Sequence, residues 1–227
     1  MTGGTHGIGL ELVRLLSARG VPIVATGRRE GTPLPGVEWV RVDQSEPERA
    51  AQAIGEACGD VDAAILCAGT GTVAENGVEG AAAIRATLRV NLAATVRIAH
   101  ALASGLLERE GTLALIGSVA RAGAGALPSY SASKAGLHGF ARALGEEWRG
   151  RATVAMLHPG PTRTGMQARA GMDVSRTERF FVTAPLMARI ILARVEGAHG
   201  RRAPVFATLG HAAAGRRWAA ERVGAAR

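Results

Sequence analysis

The sequence predicts an α/β fold, a single domain built on a doubly wound parallel sheet. Strand-like apolar runs at 21–26, 37–42, 61–66, 112–116, 153–157 and 203–207 alternate with helix-like segments near 8–19, 46–57, 86–109, 131–149 and 183–196. Such alternation argues for parallel strands joined by helices that cover both faces of the sheet. The first helix opens directly on a glycine-rich turn, and 227 residues without an internal repeat are enough for one sizeable core. The domain is placed at 1–210, followed by a basic tail at 211–227.

In chain order, Thr2-Gly-Gly-Thr-His-Gly-Ile-Gly9 runs into the periodic apolar residues of Leu10 to Leu16. Glycines at 3, 7 and 9 permit positive φ and close backbone approach, and a helix N-terminus offers free N–H groups to a pyrophosphate. Alone, the cluster reads equally as an ordinary tight turn. The second strand ends at Gly27-Arg28-Arg29, and the third is closed by Asp43, with Ser45 and Pro47 as start signals for the next helix. The run 61–66 leads into Cys67-Ala68-Gly69, and Asn91 falls in the following helix. Strand 112–116 ends at Ser118, the next helix carries Tyr130 and Lys134, and strand 153–157 ends at His158-Pro159-Gly160. The segment from Gly165 to Val182 has no regular period and precedes the last helix and strand.

Tyr130 and Lys134 are the chain's one tyrosine and one lysine; every other basic side chain among the 27 Lys and Arg is an arginine. Four positions apart on a helix, they share a face. A neighbouring cation favours a phenolate and lowers its pKa, so the pair suits acid/base chemistry, although any two residues at this spacing can be a bland surface pair. Ser118 taken singly could satisfy a strand end, and Asn91 could be a buried helix-interior amide.

Taken together, Thr2 to Gly9, Cys67-Ala68-Gly69, Asn91, Ser118, Tyr130-Ser-Ala-Ser-Lys134 and Pro159-Gly160 with Thr162 and Thr164 resemble, in order, the motifs of the short-chain dehydrogenase/reductase family, compact single-domain subtype. The resemblance implies a Rossmann-like sheet of order 3-2-1-4-5-6-7 and an NAD(P)-dependent oxidoreductase. It implies that Tyr130 exchanges a proton with the substrate oxygen, Ser118 polarises that oxygen, Lys134 holds the nicotinamide ribose and lowers the Tyr130 pKa, and Asn91 anchors a water in the proton relay. It also assigns cofactor contacts to Gly3, Thr5, His6, Gly7, Ile8, Gly9, Asp43, Ala68, Gly69, Pro159, Gly160, Thr162 and Thr164. Asp43 would contact adenine or else cap the next helix; His6 would help bind phosphate or face water.

An acid after the second strand binds a ribose 2′-hydroxyl, whereas a 2′-phosphate wants arginine. No carboxylate precedes Glu30, so Arg28 and Arg29 favour NADP(H) over NAD(H) unless they are only solvated charges. The chain departs from the family pattern in three places. The strand that leads into the glycine turn is absent, which would leave its two neighbours without partners; Cys67 replaces an asparagine; and Ser118 stands 12 positions before Tyr130, one fewer than usual.

The net charge of +8 raises a nucleic-acid partner, but the arginines are scattered and aromatic content is only 4%, so no nucleic acid is expected. No apolar run approaches the ~20 residues of a membrane span. Cys58 and Cys67 have no metal spacing and read as reduced thiols of a cytoplasmic protein. Met166, Met172, Phe180 and Phe181 would line a substrate cover or pack the core. The expected partner is a small carbonyl or alcohol substrate, in a homodimer or homotetramer; the alternative is a catalytically weak NADP-binding sensor on the same fold.

Overall fold

The computed structural model describes residues 1–74 and 77–210; the basic tail expected at 211–227 lies outside them. In chain order the first half contains α1 (Gly7–Ala18), β1 (Ile23–Gly27), β2 (Val37–Arg41), α2 (Pro47–Ala57), β3 (Ala63–Leu66), α3 (Ala81–Leu88), α4 (Ala94–Ala101) and α5 (Ala103–Glu108). The second half contains β4 (Thr112–Ile116), α6 (Pro128–Glu147), β5 (Thr153–Pro159), β6 (Thr162–Arg163), α7 (Met166–Arg169), β7 (Val182–Thr183), α8 (Ala184–Ala198) and β8 (Val205–Leu209).

All the ladders are parallel: β1 pairs with β2, and β3-β4-β5-β8 run side by side. Alternate residues of the central strands feed two cores, as the period of two demands. Leu113, Leu115, Val154 and Met156 pack with Ile54 of α2, Ile98 of α4 and Leu137 of α6. Ala114, Ile116, Ala155 and Leu157 face the other way, against Leu12 of α1 and Met187 and Ile191 of α8.

The two ladders meet at Thr2, which bridges Thr26 on one side and Leu66 on the other. Thr2 N donates to Ile65 O at 3.0 Å, Thr26 N donates to Met1 O at 2.9 Å, and the Met1 ammonium donates to Val24 O at 2.8 Å. The expected gap between the neighbours of the absent strand is therefore filled at this level by Met1 and Thr2. With them in place, the order is β2-β1-Thr2-β3-β4-β5-β8, the arrangement the resemblance implies.

Three differences from the sequence expectation follow from packing. The helix expected at 86–109 begins at Ala81 and is broken into α3, a π-helical turn over Arg89–Ala93, α4 and α5. The ladder β6-β7 is two residues long on each side, too short to show a period. α6 starts at Pro128, where a missing N–H costs a first turn nothing. Among the described residues no helix is long and apolar enough to cross a membrane.

Candidate active site

The loop after β4 and the first turns of α6 bring together the residues picked out by sequence. Ser118 stands two residues past the end of β4; its Oγ accepts from Ala120 N at 3.1 Å, and the side chain faces the Tyr130 phenol closely enough to draw its pKa down. Lys134 is buried, and its Nζ donates to Ile116 O at 2.9 Å and lies 5.7 Å from the Tyr130 ring centroid. Only one of its three donors is used among the described residues, which leaves two for a ligand.

Burial sets the electrostatics. It pushes the Tyr130 phenol above its ordinary range, with the Ser118 hydrogen bond opposing and Cys67 adding to the rise. The expected lowering by Lys134 is not met: burial is the largest influence on the phenol, and the ammonium is aimed at Ile116 O. Burial likewise brings Lys134 down to about 8, with Cys67 opposing. Cys67 itself is pushed up to about 11 by burial, which keeps it a neutral, unreactive thiol.

Asn91 occupies the π-helical turn with no exposed surface. Its Nδ2 donates to Thr70 O at 2.8 Å and Ser133 Oγ at 3.0 Å, and its Oδ1 accepts from Thr70 N at 2.8 Å. Both amide hydrogens are committed to the protein, so the side chain pins the loop after β3. That loop covers the site. A Cβ on Gly69 would lie 3.6 Å from Lys134 Nζ, and one on Gly71 would lie 3.1 Å from the Tyr130 ring.

The glycine turn has the form a dinucleotide phosphate requires. Gly3 and Gly7 have φ of +69° and +54°. A Cβ on Gly3 would fall 2.8 Å from Ala68 Cα, and one on Gly9 would fall 2.1 Å from Gly3 O. The N-terminus of α1 has no side-chain cap, so its first-turn N–H groups are open to a phosphate. His6 is exposed at its mouth beside Thr5 Oγ1, 3.0 Å from Nδ1, and Ile8 packs against the core beneath.

Arg28 and Arg29 are exposed at the end of β1 and form no ion pair among the described residues. Desolvation lowers the His6 pKa, and the charges of Arg169, Arg29 and Arg28 lower it further, so three arginines converge on this turn around a neutral imidazole. Asp43 does not cap α2; its Oδ1 accepts from Ser45 N at 2.9 Å, which holds the carboxyl below its ordinary range.

Gly160 N donates to Leu209 O at 2.7 Å, which ties the turn after Pro159 to β8. Thr162 Oγ1 donates to Gly160 O at 3.0 Å, and Thr164 Cγ2 would lie 3.2 Å from a Cβ on Gly7, so this segment reaches the glycine turn. In the cover, Met166, Met172 and Phe181 are half-buried and Phe180 is 44% exposed; none joins the core.

Three groups had no local signal in the sequence. Glu79 accepts from Ser129 N and Ser129 Oγ, both at 2.9 Å, at the first turn of α6. Gln167 Nε2 donates to Thr162 O at 2.7 Å, which holds α7 to the Thr162–Thr164 segment. His138 Nδ1 lies 3.0 Å from His158 Nε2, beside Ser118. The Glu79 and His138 contacts join residues 50 and 20 positions apart, and only the fold reveals them.

The family described as short chain dehydrogenase matches residues 1–174. The chain is 32% identical over 171 residues to 3-oxoacyl-[acyl-carrier-protein] reductase MabA of Mycobacterium tuberculosis, covering 73% of this chain and 69% of that protein. It is 29% identical over 213 residues to 3-oxoacyl-[acyl-carrier-protein] reductase FabG of Escherichia coli, covering 87% and 83%. A solved short chain dehydrogenase from Burkholderia cenocepacia, in complex with NADP, superposes with a TM-score of 0.79 over 98% of this chain and 92% of its own, at 24% identity, a likeness of fold.

Proposed function

The chain belongs to the short-chain dehydrogenase family, and from that premise we propose that it is an NADP(H)-dependent reductase of 3-oxoacyl thioesters or similar small ketones. The observation that carries this reading is the convergence of Ser118, Tyr130 and Lys134 beside an uncapped glycine turn. Bound NADPH supplies the hydride. Gly3, Thr5, His6, Gly7, Ile8, Gly9, Ala68, Gly69, Pro159, Gly160, Thr162 and Thr164 would line its path, with Asp43 at the adenine.

Arg28 and Arg29, with no acid before Glu30, favour the phosphorylated cofactor. Lys134 directs its two open donors at the ribose hydroxyls, Tyr130 passes its proton to the substrate oxygen, and Ser118 polarises that oxygen. Asn91 fixes the loop that carries Gly69. The names of the two reductases at 32% and 29% identity support the thioester class. An intact Ser118, Tyr130 and Lys134 set favours an enzyme over a sensor.

An apolar groove of about 740 Å³ between α2, α4 and α6, lined by Ala51, Val96, Phe140, Leu144 and Trp148, supports assembly into a homodimer or homotetramer. The reduced, unpaired cysteines suit the cytoplasm.

The test is NADPH-dependent reduction of acetoacetyl thioester by wild-type protein and Tyr130→Phe. NADPH should raise the melting temperature of both, and more than NADH does. The substitution should cut turnover roughly 10²- to 10⁴-fold, the worth of a positioned proton donor. Near-normal turnover by Tyr130→Phe would remove Tyr130 from the chemistry, and no melting shift with either nucleotide would remove the cofactor.

A further inference from the structure

We propose that His158, through its bond to His138, is a positioning residue that sets the register between the strand end carrying Ser118 and the helix carrying Tyr130. This rests on the functional reading above and adds to it a residue pair outside the catalytic group.

Three ties connect the end of β4 to α6. Lys134 Nζ holds Ile116 O at 2.9 Å, and the Ser118 side chain faces the Tyr130 phenol, whose pKa it lowers. The third tie runs through His158. A Cβ on Gly117 would fall 2.4 Å from His158 Nδ1, so the imidazole occupies the space a side chain at 117 would need. Gly117 N also donates to Leu157 O at 2.7 Å, which fixes the backbone against that ring.

From the far side, His158 Nε2 is paired with His138 Nδ1 at 3.0 Å. His138 stands one helical turn after Lys134 and two after Tyr130, on the same face. The imidazole is therefore a spacer between Gly117, next to Ser118, and the helix that presents the phenol.

The pair is built to stay neutral. His158 is 2% exposed and its Nδ1 has no hydrogen-bond partner among the described residues. Burial, Arg121, His138 and Lys134 hold its pKa down to about 4, against the nearby Ser118 backbone. On His138, burial and then Arg121 and Arg142 act in the same direction, and the Phe206 ring covers it edge-on at 5.4 Å. No carboxylate faces either ring among these groups, so near neutral pH one imidazole donates to the other and the spacer keeps one length.

The experiment uses a feature of composition: Tyr130 is the one tyrosine, so the phenolate absorbance of the whole protein titrates that residue alone. Ser118 beside the phenol lowers its pKa, so loosening the register should raise it. We expect Ser118→Ala to raise the Tyr130 pKa, and His158→Phe, which keeps a ring but removes the pairing, to raise it in the same direction. His158→Phe should also lower kcat about tenfold, with NADPH affinity within twofold. His158→Gln, which can restore a bond to His138, should recover part of both.

If His158→Phe fails to fold, His138→Leu breaks the same link from the half-exposed helix side. A Tyr130 pKa and kcat unchanged in either folded variant, or a lowered melting temperature alone, would overturn the proposal. Loss of turnover in the wild-type protein would count against the functional reading, while the tyrosine titration would still decide the role of His158.

Discussion

Lys134 carries its ammonium into a setting where burial has pushed the pKa down to about 8, and one carbonyl, Ile116 O, is its sole hydrogen-bond partner among the described residues. Charge held in such a place weakens the fold and serves the chemistry. Lys134→Met should therefore stabilise the protein at neutral pH, on the order of 2 kcal/mol, while abolishing turnover. The lowered pKa means that the cost is fully present below about 8 and disappears as pH rises toward the ordinary lysine value. Thermal melts at pH 7 and pH 10 check this, since the advantage of Lys134→Met should shrink between them. A variant no more stable than wild type at pH 7 would refute the strain. Tyr130 and Lys134 were legible because four positions on one helix bring them together by local geometry alone. Their electrostatics were not legible. The sign of the Tyr130 shift depends on burial under Gly71 and Cys67, which no spacing encodes.

At the scale of elements, α6 is held at its first turn by Glu79, 50 positions earlier than Ser129 in the chain. A carboxylate on the first free N–H groups of a helix complements the dipole as well as bonding to it. Glu79→Ala should cost about 1 kcal/mol, as lost caps do, and Glu79→Gln less; equal melting temperatures for wild type and Glu79→Ala would show that the contact contributes nothing. The sequence placed β1, β2, β3, β4, β5 and β8 within two residues at most boundaries, because their apolar runs are continuous or alternate cleanly. It missed the break in the helix around Asn91, whose inward amide accepts from Thr70 N and donates to Ser133 Oγ, bonds that a regular helix has no reason to seek. The β6-β7 ladder was invisible for the opposite reason: two residues form no pattern.

Across the whole molecule, two parallel ladders depend on Thr2 for their join. Its Oγ1 also accepts from Cys67 N at 3.1 Å and Ala68 N at 3.3 Å, so one hydroxyl ties the glycine turn to the loop over the active site. Thr2→Val keeps the β-branched shape and removes that acceptor. The loss should be about 1–3 kcal/mol, the usual cost of stranding buried donors. Hydrogen exchange should show the amides of β1 and β2 opening at lower free energy than those of β4 and β5, and more so in the variant. Uniform protection across both ladders would mean that the join is not a weak point.

The composition also determines how the protein meets reagents. Lys134 is the only side-chain amine in 227 residues, it is buried, and the Met1 ammonium is bound to Val24 O. Amine-directed coupling chemistry therefore finds almost nothing to modify while the fold is closed. Slow labelling at Lys134 would count each opening event at the catalytic centre, without any engineered probe.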